Sequence, residues 1–83
     1  MKENILADKS KRFALKIIKL CRYINDSHRE YILSRQLLRS GTSIGANIKE
    51  GAFAQTKADL IAKLFIAQKE WAETEYWLEL LYE

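Results

Sequence analysis

The sequence predicts an all-α fold: an antiparallel up-down helical bundle, with three long helices in a single domain spanning residues 1–83. The chain has no proline and only three glycines, so few residues interrupt a helix. Apolar residues recur every three or four positions along three segments, which is the spacing of one helical face. A chain of 83 residues fits one small domain, whose limited core benefits from a partner subunit.

The first helix is predicted from about Asn4 to Asn25. Its apolar stripe consists of Leu6, Phe13, Ile17, Leu20 and Ile24, widened on one side by Ala14, Ile18 and Cys21. The tetrapeptide Asn25–Asp26–Ser27–His28 that follows predicts a turn, because Asn, Asp and Ser side chains compete with the helix by bonding to the nearby backbone.

The second helix is predicted from about Arg29 to Ala54. One face carries Leu33, Leu37, Ile44 and Ile48, with the small residues Ser40, Gly41, Gly45 and Ala52 on or beside it. Each glycine costs about 1 kcal/mol relative to alanine inside a helix, so we expect close packing against a neighbouring helix to offset that cost. A kink at Gly41 is the alternative. Asn47, beside the apolar face, is either a buried amide that fixes register or a rim residue bonded to water.

The third helix is predicted from Lys57 to the end of the chain, with Thr56 as its cap and Asp59 favouring its positive start. One stripe contains Leu60, Leu64, Ala67, Trp71, Leu78 and Leu81, a second face contains Ile61, Phe65, Ala72 and Tyr76, and Ile66 and Trp77 point elsewhere. A helix that is apolar over so much of its circumference must be covered on several sides. The excess implies a missing helix, a subunit interface or both, and we expect Phe65, Trp71, Tyr76 and Trp77 to be partly covered in an interface between copies of the chain.

The net charge of +3 is unevenly distributed along the chain. Residues 1–50 carry 11 Lys and Arg against 5 Asp and Glu, whereas residues 51–83 carry 3 against 6. This asymmetry predicts either a face that binds a polyanion or two patches that attract each other between subunits.

Two groups of cations are candidate nucleic-acid contacts. Lys9, Arg12, Lys16 and Lys19 follow spacings of three, four and three, which places them on one face of the first helix beside its apolar stripe. Arg35 and Arg39 form a shorter pair on the second helix. All six are predicted to contact phosphates. The alternatives are a solvated basic face for the first group, and ion pairs with the third helix of a neighbour for the arginines.

The sequence predicts no catalytic residue, no metal site and no cofactor. A single cysteine, Cys21, and a single histidine, His28, cannot build a Cys/His zinc site. The carboxylates Glu70, Glu73, Glu75 and Glu79 lack the Glu-x-x-His pairs of di-metal bundles. Arg22 and His28 superficially resemble the Arg…His pair of helical HEPN-type ribonucleases, but we expect His28 to be a turn residue. Cys21 is predicted to be a buried, inert thiol.

The segment Ser34 to Gly51, SRQLLRSGTSIGANIKEG, resembles the bacterial four-helix bundle proteins encoded in intervening sequences of 23S rRNA genes. Further matching segments are Lys9-Ser10, Phe13-Ala14, residues 57–61 and residues 66–81. The resemblance implies an up-down bundle that is homo-oligomeric, typically a pentamer. It also implies kinship with the accessory variability proteins of diversity-generating retroelements, which are basic pentameric barrels that bind nucleic acid and a reverse transcriptase. Members of the family usually have a fourth helix, which we expect to be absent by truncation or supplied by a partner.

Three functions are open at this point. The leading hypothesis is a non-enzymatic homo-oligomeric scaffold whose basic face binds RNA or DNA. The second is a structural or protein-interaction module that binds no nucleic acid and docks a protein partner on its third helix. The third is a ribonuclease that uses Arg22 and His28. We expect a soluble, cytoplasmic protein with no membrane partner, because no apolar run approaches the ~20 residues that span a bilayer.

Overall fold

The structure is a computed structural model that describes residues 4–83. It consists of three helices, α1 (Ile5–His28), α2 (Ile32–Ala52) and α3 (Lys57–Tyr82). The central helix α2 packs against both others, and successive helices run antiparallel. Within the described residues no Cα atom of α1 lies within 8 Å of one in α3, and large side chains bridge these two helices. The predicted all-α bundle of three long helices is confirmed.

Helix α1 is longer than predicted. The Asn4 carboxamide oxygen accepts a hydrogen bond from the backbone N–H of Ala7 at 3.0 Å and caps the helix start. The turn predicted at residues 25–28 was wrong, because the helix continues through His28 and ends at Arg29 in the left-handed conformation (φ 52°). The Asn25 side chain does not compete with the helix, because it accepts a hydrogen bond from the Ser34 hydroxyl of α2 at 2.5 Å.

Helix α2 begins three residues later than the sequence predicted. The Glu30 carboxylate accepts hydrogen bonds from the backbone N–H groups of Ile32 and Leu33, each at 2.9 Å, and so supplies the cap. The helix is unbroken through Gly41 and Gly45. A Cβ atom on Gly41 would lie 2.9 Å from Cγ2 of Ile17. The predicted close packing of this face is therefore confirmed, and its partner is α1.

Helix α3 presents an unexpected face to α2. Its start is capped as predicted, since the Thr56 hydroxyl accepts a hydrogen bond from the Asp59 N–H at 3.0 Å. The less exposed residues of this helix are Lys63, Ala67, Glu70, Glu73, Thr74, Trp77, Leu78 and Leu81. From the stripe predicted to be buried, Ala67, Leu78 and Leu81 face the bundle, whereas Leu64 and Trp71 remain 39% and 45% exposed. The helix therefore turns inward a mixed seam, polar around Glu70 and Thr74 and apolar toward its C-terminal end, and leaves other apolar residues outside.

The core lies around α2. One cluster joins Ile17, Cys21, Ile24 and Leu37, and a second joins Ile44, Ile48 and Ala67. Between α2 and α3, the Ser40 and Thr74 hydroxyls are fully buried and hydrogen bond to each other at 2.9 Å. The half-buried Asn47 amide donates to Ser43 one turn earlier on its own helix, at 2.9 Å to the carbonyl oxygen. Asn47 therefore makes its hydrogen bonds within α2 and does not link two helices.

Candidate functional site

The surface of α3 that points away from the bundle has no partner among the described residues. Only Ala67 and Thr74 of its 26 residues are buried. Ile61, Phe65 and Tyr76 are 46%, 61% and 52% exposed. We define the outer α3 face as Ile61, Phe65, Ala72 and Tyr76 together with the exposed carboxylates Glu75 and Glu79. Apolar side chains of this size and exposure on one helix mark an interaction surface.

The four residues predicted to form an interface separate into two kinds. Phe65 and Tyr76 lie on the outer α3 face, and Trp71 remains 45% exposed although its ring contacts Phe13 at a centroid distance of 5.2 Å. Trp77 is held by its own chain, because its indole N–H donates to the Glu73 carboxylate at 2.9 Å and its ring packs against the core. Three of the four side chains are therefore available to a neighbouring molecule.

The four cations on α1 form one exposed row, which we call the α1 cation row: Lys9, Arg12, Lys16 and Lys19. Arg12 pairs with Asp8 at 3.2 Å, one turn away, with both side chains largely exposed. The three lysines form no ion pair within residues 4–83. Their charges are thus open to solvent and to an anionic partner.

A half-buried aromatic ring lies beside the α1 cation row. Lys9 and Lys16 stand four residues before and three residues after Phe13, so they neighbour it on the helix surface. Phe13 in turn contacts Trp71 of α3. The place of Phe13 follows from spacing on α1, whereas that of Trp71 could not be predicted, because it comes from a different helix and no local spacing joins it to α1.

The predicted pair on α2 is divided by the fold. Arg39 forms ion pairs with Glu70 at 3.2 Å and with Glu73, both on α3 of the same chain. Its charge is therefore neutralised internally, whereas the sequence-based alternative placed such acids on a neighbouring copy. Arg35 is exposed and has no ion pair among residues 4–83. Both arginines remain predicted phosphate contacts, and Arg35 is the one whose charge is unpaired among these residues.

A shallow groove runs between α1 and α2 on the outside of the bundle, which we call the α1–α2 groove. It encloses about 480 Å³ and is lined mainly by small side chains. Lys11 on α1 and Lys49 on α2 stand along it, together with Asp8. Neither lysine was predicted as a site residue, because Lys11 lies off the face of the α1 cation row and the groove exists only where two helices meet.

Chemistry-bearing side chains elsewhere are not gathered into a cluster. Within residues 4–83 no group of three or more His, Cys, Asp and Glu side chains lies close enough together to hold a metal ion. Arg22 and His28 are six positions apart on one continuous helix, so their side chains point about 120° apart. The His28 ring instead packs edge-on against Tyr23 at 5.8 Å. The fold therefore does not bring the proposed ribonuclease pair together.

Cys21 is buried, as predicted. Its thiol donates a hydrogen bond to the Ser34 carbonyl oxygen at 3.3 Å. Burial raises the pKa of the Cys21 thiol, which lowers the fraction present as the reactive thiolate.

No helix among the described residues has the length and apolar character required to cross a membrane.

These features define a class: a small all-α bundle with an unpartnered amphipathic third helix and an exposed cationic first helix. Comparison with known proteins makes this specific. Residues 2–83 match the family described as 23S rRNA-intervening sequence protein, and the chain belongs to that family. The resemblance inferred from the sequence is thereby confirmed.

A solved structure supports the same assignment. The chain is similar to a protein of unknown function from the S23 ribosomal protein family of Bacteroides thetaiotaomicron, with 55% sequence identity and a TM-score of 0.91. The match covers 93% of this chain and 71% of that chain. The search of curated proteins gave no match.

Proposed function

We propose that this chain is a non-enzymatic building block of a helical homo-oligomer, and that the α1 cation row contacts RNA or DNA in the assembly. The observation that carries the proposal is the exposure of α3, which buries only two of its 26 residues. Helices α1 and α2 of the same chain do not bury the exposed aromatic rings of α3. A second copy of the chain is a partner that is always available to cover them.

The cationic surface supports a polyanionic ligand. Lys9, Lys16 and Lys19 are exposed and have no ion pair within residues 4–83. Assembly would repeat this row in every copy, and phosphate contacts repeated along a polymer raise affinity strongly.

Assembly is tested by the mass of the particle in solution. We expect light scattering to give several times the chain mass of 9.7 kDa, and the family resemblance implies five copies. The apolar surface of α3 is the physical reason, since covering it removes aromatic area from water. A particle of one chain at all concentrations measured would contradict the proposed assembly.

Nucleic-acid binding is tested by charge reversal at Arg12→Glu and Lys16→Glu together. We expect the dissociation constant for a labelled RNA or DNA, measured by fluorescence anisotropy, to rise by about tenfold or more at low salt. The slope of affinity against salt concentration should also flatten, because fewer counterions are released. A control with Lys57→Glu and Lys69→Glu has the same net charge and leaves the α1 cation row intact.

The second candidate is a structural or protein-interaction module that binds no nucleic acid. It is favoured by the outer α3 face, whose exposure requires a protein partner but no anion. A stable oligomer with no measurable affinity for RNA or DNA at low salt would establish this function and remove the first. Equal binding by the Arg12/Lys16 variant and the wild type would remove the α1 cation row as the contact surface.

A further inference from the structure

We propose that the outer α3 face of one copy docks into the α1–α2 groove of a second copy, so that the assembly grows through one repeated contact between two different surfaces. The inference rests on the proposed self-assembly and names the surfaces that would carry it. It assigns roles to Lys11 and Lys49 that neither spacing nor the family match provides.

The two surfaces are complementary in shape. The outer α3 face carries large side chains that project into solvent, with Phe65 at 61% and Tyr76 at 52% exposure. The α1–α2 groove offers about 480 Å³ of open space. Its lining is small, and includes Ala7, Ala14, Gly45, Ala46 and Ala52. Large side chains on one helix can enter a groove between two others only where the residues there are small, as in ridge-into-groove packing.

The two surfaces are also complementary in charge. Glu75 and Glu79 are exposed on α3 and form no ion pair among residues 4–83. Lys11 and Lys49 are likewise exposed and unpaired within the same range, one on each helix that borders the groove. Opposite charges at the rim of an apolar contact favour correct docking and penalise wrong partners. A second copy therefore meets both requirements, large apolar side chains and negative charge.

The contact is heterologous, because the groove belongs to α1 and α2 whereas the outer face belongs to α3. Each copy can engage one neighbour through its groove and another through its α3 face, and such contacts form a ring when the rotation closes. The groove occupies the flank of α1 that carries Ala7, Lys11 and Ala14. The α1 cation row meets the groove at Arg12, which pairs with the groove-lining Asp8 and offsets its negative charge. Lys9 and Lys16 lie toward Phe13 instead, so docking leaves the lysines of the row free for a polyanion.

A charge-swap series tests this contact. Lys11→Glu with Lys49→Glu places like charges opposite Glu75 and Glu79, and Glu75→Lys with Glu79→Lys does the same from the other side. We expect each pair to raise the concentration at which the particle dissociates by about tenfold or more. The variant with all four changes restores opposite charges and should recover the wild-type mass. All four positions are exposed, and circular dichroism verifies that each variant remains folded.

A matched control separates this contact from net charge. Lys9→Glu with Lys16→Glu changes the net charge equally but lies on the α1 cation row, and it should retain the wild-type particle mass. Disassembly of this control, or an intact oligomer in both groove and α3 variants, would overturn the proposed contact while leaving self-assembly standing. A wild type that is a single chain in solution overturns the proposed function, and this contact with it.

Disulfide trapping gives an independent measurement. Mixing an Ala46→Cys chain with a Phe65→Cys chain should yield a covalent dimer containing one of each under mild oxidation. Either variant alone should stay uncrosslinked, as should the wild type, whose one thiol, Cys21, is buried. Dimers formed mainly by Ala46→Cys alone or by Phe65→Cys alone would indicate an isologous contact and overturn the proposal.

Discussion

Helices α2 and α3 pack against each other but distribute their apolar residues in opposite ways. Helix α2 buries Leu37, Ile44 and Ile48, whereas α3 buries Ala67 and Thr74 and leaves Phe65 exposed. The seam that α3 turns inward mixes the polar residues Glu70 and Thr74 with the apolar Trp77 and Leu81, although the helix has enough other apolar residues to form a wholly apolar seam. The difference teaches that α2 serves the fold of the single chain, while much of the apolar surface of α3 is left exposed by it, as the proposed assembly requires.

The largest expected effect is the difference in stability between a variant that lacks an apolar side chain on α2 and a variant that lacks one on α3. Leu37→Ala should lower the free energy of unfolding by about 2–5 kcal/mol, because Leu37 is fully buried and its loss leaves a cavity. Phe65→Ala should change it by less than about 0.5 kcal/mol at dilutions where the chain is monomeric, because this surface is exposed there. Urea unfolding with both variants at low concentration measures the contrast. Equal losses would show that the outer α3 face belongs to the monomer core.

A smaller effect is expected from adding one methyl group where α1 approaches α2. Gly41→Ala should cost about 1–3 kcal/mol, because its Cβ would lie 2.9 Å from Ile17 Cγ2 in a packed core. Gly45→Ala is the matched control, since its Cβ would lie 3.2 Å from the Ser10 hydroxyl oxygen. There the gain in helix propensity, about 1 kcal/mol, should roughly offset the crowding. Thermal unfolding of both variants gives the comparison, and a stabilised Gly41→Ala would refute the close approach.

The smallest expected effect concerns the polar part of the seam between α2 and α3. Thr74→Val should cost about 1–2 kcal/mol, because it leaves the buried Ser40 hydroxyl without its partner on α3. Adding Ser40→Ala should recover part of that loss, since removing both partners leaves no unsatisfied group. A double-mutant cycle in urea measures the coupling. Strictly additive losses would show that the two hydroxyls do not stabilise the packing of α3 through each other.

Helix positions were predictable because their determinants are local. The cap at Thr56 and the apolar periodicity predicted three helices close to those observed. The error at residues 25–28 arose because Asn25 bonds to Ser34 on the next helix, and nothing in the local sequence shows that this partner is available. The late start of α2 has a similar origin in Glu30, whose carboxylate acts in place of a capping hydroxyl or amide.

The candidate site was only partly predictable. The α1 cation row follows from spacing on one helix, and its exposure could be inferred from the adjacent apolar stripe. The ion pairs of Arg39 could not be predicted, because its two carboxylate partners lie on α3. The α1–α2 groove could not be predicted either, because Ala14 and Ala46 line one cavity only after the two helices pack.

The sequence by itself determined that three amphipathic helices form, where the row of lysines lies, and that α3 carries more apolar surface than its own chain can cover. Periodicity fixes these properties, since each depends on residues within a few turns of one helix. Only the tertiary structure decided which face of α3 turns inward. That choice depends on partners supplied by α2, above all Arg39 and Ser40, which match the polar part of the α3 seam and leave aromatic side chains such as Phe65 and Tyr76 to the outside.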